Sequence, residues 1–212
     1  MDFKYLVRPY TNAPLTRQVM LEILKDYKRP NDKISELIKS GELISLKKGL
    51  YIPGIKTNLP SPETFLIANH LWGPSCVSLE SAMSYWGLIP ERVYEVSSIT
   101  MKLSKKFKNL KGRFSYRYMP SPYYSFGIRS IELSPGQVAL VAMPEKAICD
   151  KIITTAGLVL RSPVQTRNFL LDDLRIDAEW LHKLNLEALH SWIEDAPKKG
   201  SLSMLIKTLE KL

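Results

Sequence analysis

The chain has 212 residues, 45% of them hydrophobic and 24% charged, an ordinary globular mixture that excludes disorder along the whole length and predicts one or two domains. Lys and Arg number 30 against 21 Asp and Glu; the net charge of +9 favours a polyanionic partner. Two cysteines, Cys76 and Cys149, exclude a disulfide framework, and neither belongs to a C-x-x-C pair.

The charge is uneven along the chain. Residues 1–56 carry a net +5, residues 57–157 a net +4 and residues 158–212 a net 0. No apolar run approaches about 18 residues, and the start MDFKYLVRPY lacks the apolar stretch of a signal peptide. A cytoplasmic setting without a membrane partner is therefore expected.

A short helix is expected over residues 2–8, with Phe3, Leu6 and Val7 on one side. A longer one runs from Leu15 to Tyr27, its apolar contacts supplied by Val19, Leu21, Ile23 and Leu24. Lys28-Arg29-Pro30-Asn31 breaks it, because proline has no N–H for the helical ladder. A third helix starts at Pro30 or Asn31 and reaches about Lys39. Ile34, Leu37 and Ile38 follow the i, i+3, i+4 rule, and Gly41 supplies the stop. Leu43–Leu46 and Leu50–Ile52 then read as two strands around a Lys47-Lys48-Gly49 turn.

Three helices and a basic hairpin make the plan of a winged helix-turn-helix, placed at 1–56. The third helix suits the major groove, about 12 Å wide. Lys28, Arg29, Asn31, Lys33, Ser35 and Lys39 are its candidate DNA contacts, with Lys47 and Lys48 at the wing tip. Any one of these lysines is ordinary on an exposed surface; the ordered constellation is what carries the reading.

Residues 56–60 read as a linker to a larger mixed domain over 61–212. Ser61-Pro62-Glu63 reads as a helix start, and Ser78 as the cap of a helix through Trp86. Strands are expected over 93–101, 113–119, 128–133 and 137–142, giving an antiparallel sheet of roughly four strands. Helices follow from Met143-Pro144-Glu145, Ser162-Pro163 and Ser201. Leu202, Leu205, Ile206, Leu209 and Leu212 form an apolar stripe in the last one. The fold class is thus α+β, with a helical C-terminal part. Lys102, Lys105, Lys106, Lys108, Lys111 and Arg113 form a second basic cluster.

No phosphate-binding glycine loop is present. His70, His182 and His190 have no metal-ligand spacing to one another or to a cysteine, so no cofactor, metal or catalytic residue is assigned. Cys76 and Cys149 read as buried apolar residues. Glu80, Glu132, Glu145 with Lys146, and Asp150 with Lys151 supply the residue types of a metal-dependent nuclease, but their lysine neighbours read as helical charge pairs.

Several ordered segments resemble one family. The wing at 46–53 is similar to the winged helix of AbiEi-type antitoxins. Val77–Glu91, with Ser78, Ala82, Trp86, Gly87, Leu88 and Pro90, resembles their S-x-x-S/A-A-L-x-x-W-G-L-x-P segment. Thr100 followed by 114–118 resembles their next strands, and Ala142–Asp150 resembles their A-x-P-E-K-A-L-x-D helix start. One departure is lysine at 47 and 48, where the family often has arginine in the wing; arginine grips phosphate through two bonds and lysine as a point charge.

The resemblance spans residues 15–157. It implies a type IV toxin–antitoxin role in phage defence: repression of its own operon through inverted repeats in promoter DNA, and opposition to a nucleotidyltransferase-like toxin without a stable complex. Three other readings stay open at this point: a nuclease-like enzyme carried by the winged helix, a plain transcriptional regulator, and a protein-docking module.

Overall fold

The computed structural model describes residues 2–212. The chain begins with α1 (Phe3–Val7), and Asp2 accepts a hydrogen bond from the Lys4 N–H as its cap. The expected long second helix is corrected by β1 (Leu15–Thr16), a two-residue strand, and a shorter α2 (Arg17–Ile23). Thr16 explains the change. Its extended backbone pairs Leu15 and Thr16 with the hairpin, and its hydroxyl accepts from the Val19 N–H. That side-chain bond satisfies one of the donors a helix start leaves open.

Next comes α3 (Pro30–Ser40), opened by a proline that fits the first turn and closed by Gly41 at φ 80°. Ile34 and Leu37 are buried, but Ile38 stays 37% exposed, so the apolar face is narrower than the spacing implied. β2 (Leu43–Lys47) and β3 (Leu50–Pro53) form the hairpin, with Gly49 at φ 81° in the turn. With β1 added, the small sheet has three antiparallel strands in the order β1-β3-β2.

This hairpin is buried on both faces. Leu43 and Tyr51 join Phe3, Val7, Leu15, Met20, Leu24, Ile34 and Leu37 in one core. Ile44, Leu46, Leu50 and Ile52 join the other, larger core. The period of two does this, since Ile44 pairs with Ile52 on one side and Ser45 with Tyr51 on the other. Gly54 completes the joint: a Cβ there would lie 2.2 Å from the Gly41 carbonyl oxygen.

The larger part holds α4 (Thr64–Leu71), β4 (Ser75–Val77), α5 (Leu79–Tyr85), β5 (Glu95–Thr100), β6 (Lys105–Asn109), β7 (Gly112–Tyr118), β8 (Ile128–Ser134) and β9 (Gln137–Ala142). α6 (Pro144–Thr154), α7 (Pro163–Asn168), α8 (Ala178–Leu181), α9 (Leu186–Trp192) and α10 (Lys199–Leu209) complete it. Ser162 caps α7, as expected, and Asp177 and Asn185 cap α8 and α9. The stripe of Leu202, Leu205, Ile206 and Leu209 is buried core.

The expected antiparallel sheet of four strands is corrected to a mixed sheet of six, ordered β6-β7-β5-β4-β9-β8. β5 runs parallel to β7, and β4 parallel to β9. β7 inserts between β5 and β6, so these two strands, successive in the chain, are not neighbours. β4 is three residues long, too short for periodicity to reveal.

Two expected helix starts are also corrected, while Ser78 precedes α5 as expected without capping it through its side chain. Glu63, not Ser61, precedes α4. The Ser78 hydroxyl leaves its helix and donates to Asp150 at 2.6 Å. α10 starts at Lys199, and the Ser201 hydroxyl accepts instead from the Leu160 N–H.

Candidate nucleic-acid interface

The exposed side of α3 lies beside the turn of the hairpin, and Arg17 joins the two. The Arg17 N–H donates to the Gly49 carbonyl at 2.9 Å, and its guanidinium donates to Asn31 Oδ1 at 2.9 Å. The first residue of α2, the start of α3 and the turn carrying Lys48 are thereby fixed to one another. Sequence reasoning missed Arg17 because a helix drawn from Leu15 hides its place at a helix start; Thr16 as a cap was the available signal.

The eight expected contact residues do not stand alike. Lys28, Lys39 and Lys48 are exposed and have no ion-pair partner among the described residues. Arg29 lies 3.7 Å from Asp32. Lys33 pairs with Glu36 at 2.7 Å and sits over the Tyr27 ring. Asn31 holds Arg17, and the Ser35 hydroxyl donates back to the Asn31 carbonyl at 3.1 Å. With Asp32 and Glu36 also exposed, the charge of α3 is largely internal, and the net positive character comes from Arg17, Lys28, Lys39 and Lys48 around it.

Lys47 turns the other way. Its ammonium donates to the Leu71 carbonyl at the end of α4, at 2.5 Å. Lys102 donates to the Gly73 carbonyl, and Lys102 and Lys105 lie over the Trp72 ring at 5.2 and 4.4 Å. These cations surround the negative end of α4, where unpaired carbonyls attract them. Burial, and after it the Lys102 and Lys105 ammoniums, push Lys47 below the ordinary lysine value.

The 102–113 run is not one surface. In β6 the side chains alternate. Phe107 meets Tyr116 edge-on and Trp72 at a tilt, and Asn109 donates to the Leu46 carbonyl of the hairpin. Lys106 and Lys108 point to the opposite face, paired with Ser115 and Arg113 of β7. Lys111 sits in the turn between β6 and β7.

The carboxylates weighed for a nuclease lie apart in function. Glu80 pairs with Lys151 across α5 and α6. Glu132 accepts from the Gly136 N–H, and Glu145 from the Asn185 N–H. Asp150 and Lys146 form an i, i+4 helical pair at 3.3 Å that is fully buried. Burial holds the Asp150 carboxyl above its usual value, against the opposing pull of Lys146 and Ser78. Among the described residues no group of three or more His, Cys, Asp or Glu could hold a metal ion. His70 is exposed, while both cysteines are buried and free, their thiols pushed up by burial. No helix of the described residues is long and apolar enough to cross a membrane.

The segments 77–91 and 142–150 meet inside the larger core. Ser78 reaches Asp150, and the Trp86 indole N–H donates to the Ala142 carbonyl at 2.7 Å.

No protein-family model and no curated protein matches the sequence. Among solved structures, the RV2827C protein from Mycobacterium tuberculosis is similar in fold, with a TM-score of 0.61 and 15% sequence identity. The similarity covers 97% of this chain and 75% of that one, so it embraces the small sheet, the large sheet and the C-terminal helices together.

Proposed function

We propose that this protein is a DNA-binding autoregulator and antitoxin of the AbiEi type, with residues 1–56 acting as a winged helix-turn-helix. The observation that carries the reading is the junction of Arg17, Asn31 and the Lys48 turn. It holds an exposed helix and a hairpin tip at a fixed angle, as a module must if one element is to enter a groove while the other meets the flanking backbone. Arg17, Lys28, Lys39 and Lys48 supply phosphate contacts, and Asn31 and Ser35 stand where base edges would be read. The reading assigns the chain no catalytic step. The antitoxin part rests on the resemblance of segments 77–91 and 142–150.

The test starts with selection of duplex DNA from a random library by the full chain, followed by a salt series on the selected site. Arg17→Ala and Lys48→Ala should each weaken binding and reduce the slope of log K against log salt by about 0.9. Failure to enrich any sequence, or unchanged slopes in both variants, would overturn the DNA assignment. Co-expression with a nucleotidyltransferase-like protein from the same operon should relieve growth arrest; persistent arrest at full expression would overturn the antitoxin part.

A further inference from the structure

The face of the large sheet that packs on α5 and α6 opens into a cavity of about 450 Å³, a size that suits a small organic ligand. Ser115 and Arg117 of β7 and Glu95 of β5 form its sheet side, and Lys151, held by Glu80, stands across it. Ser115, 6% exposed, carries a hydroxyl and lines this cavity. The Arg117 guanidinium and the Glu95 carboxylate are in no salt bridge among the described residues, and Glu95 lies beside Arg113 in the β5–β7 register.

The strand ladder surrounds this hydroxyl with cations. Lys106 is directly opposite Ser115 and Lys108 directly opposite Arg113. Arg113 and Arg117 precede and follow Ser115 by two residues, so all share its face. Like charges facing each other across a ladder are unfavourable unless something neutralises them. Lys106, Lys108, Arg113 and Arg117 have no ion pair among the described residues, although Glu95 of β5 is the register partner of Arg113 and offsets part of this charge. Arg117 in the cavity wall, with Arg113, Lys106 and Lys108 along the same face of the ladder, suits an anion with several acceptor oxygens, and the cavity leaves room for the body that carries it. Glu95, the lining carboxylate that is in no salt bridge, suits hydroxyl or amino donors on that body.

We propose that this cavity binds a nucleotide. The phosphate sits at Ser115 and Arg117 with Arg113 and Lys106 beside it, and a sugar or base donor meets Glu95. A free nucleotide and the terminal nucleotide of a strand present the same chemistry here; a strand would continue along Lys106 and Lys108. The site lies on the opposite face of β6 from Phe107 and Asn109, which face α4 and the hairpin, so it is separate from the proposed duplex-binding surface.

Calorimetric titration of the full chain with AMP, GMP, CMP, UMP, adenosine, inorganic phosphate and a short single-stranded oligonucleotide tests this. At least one mononucleotide or the oligonucleotide should bind with Kd below about 1 mM, and adenosine and inorganic phosphate at least about tenfold more weakly. Ser115→Ala and Arg117→Ala should each weaken binding at least about tenfold at unchanged melting temperature, while Arg17→Ala leaves it alone. Binding of the oligonucleotide without any mononucleotide identifies the strand end as the source. The proposal is overturned if no probe binds at several times that concentration, if inorganic phosphate binds as tightly as any nucleotide, or if both β7 variants bind as the wild type does. None of these outcomes depends on duplex recognition, since Arg17→Ala reports that separately.

Discussion

Lys47 and Lys48 are adjacent in sequence and differ in almost everything else. Lys47 closes the end of α4 through the Leu71 carbonyl, whereas Lys48 projects from the turn. Replacing Lys47 with Met keeps the stem and removes the ammonium. A hydrogen bond from a charged group contributes about 1–2 kcal/mol at such a half-exposed site, so the melting temperature should fall by several degrees. The salt slope of DNA binding should stay at its wild-type value, in contrast to Lys48→Ala. A lowered slope in Lys47→Met would show that the ammonium meets phosphate instead.

The buried Lys146–Asp150 pair poses a sharper residue-scale question. Both side chains are 0% exposed, and Ser78 adds a third member at 2.6 Å from Asp150. Removing one charge leaves the other in the core without compensation. Lys146→Met should therefore cost about 3–5 kcal/mol in urea unfolding, and the Lys146→Met/Asp150→Leu double variant much less. Equal losses in the single and double variants would mean that packing, not charge, holds this position.

At the scale of elements, most of the helices were legible and the strand pairing was not. Pro30 and Gly41 bracket α3, and Ser162-Pro163 opens α7, because local proline, glycine and cap chemistry decides those ends. Ser78 and Ser201 misled for the same reason that Ser162 did not. A hydroxyl offered a distant buried partner leaves its own helix end, and no local pattern shows whether Asp150 or Leu160 will be there. β1 and β4, at two and three residues, lie below the length at which alternation is readable. The candidate contacts on α3 were legible by position, and the Lys33–Glu36 pair is a local i, i+3 contact of that helix; the junction made by Arg17 appeared only once the helices and hairpin were packed.

The whole molecule is joined by the β2–β3 hairpin, which contributes Leu43 and Tyr51 to one core and Ile44, Leu46, Leu50 and Ile52 to the other. A hinge between the small and large parts would have to strip one face of that hairpin. All four tryptophans, Trp72, Trp86, Trp180 and Trp192, lie in the larger part, so their fluorescence reports it alone, while far-ultraviolet circular dichroism reports helices of both. The two signals should follow one urea transition with one midpoint. A circular-dichroism phase that precedes the fluorescence change would mean that the N-terminal part unfolds independently.

The charge of +9, its concentration before residue 158, the α+β composition and the order of helices and hairpin were determined by the sequence alone, since they follow from residue types and short-range rules. Tertiary structure alone decided which cations are available. It withdrew Lys47 into a helix end, brought Arg17 to the hairpin turn, and divided Lys102–Arg113 between two faces of a sheet. The physical reason is that a lysine's partner is set by whichever carbonyl, carboxylate or ring the fold brings within a few ångströms, and for these lysines the partners come from elements distant in the chain, the Leu71 carbonyl for Lys47 and the Gly73 carbonyl for Lys102.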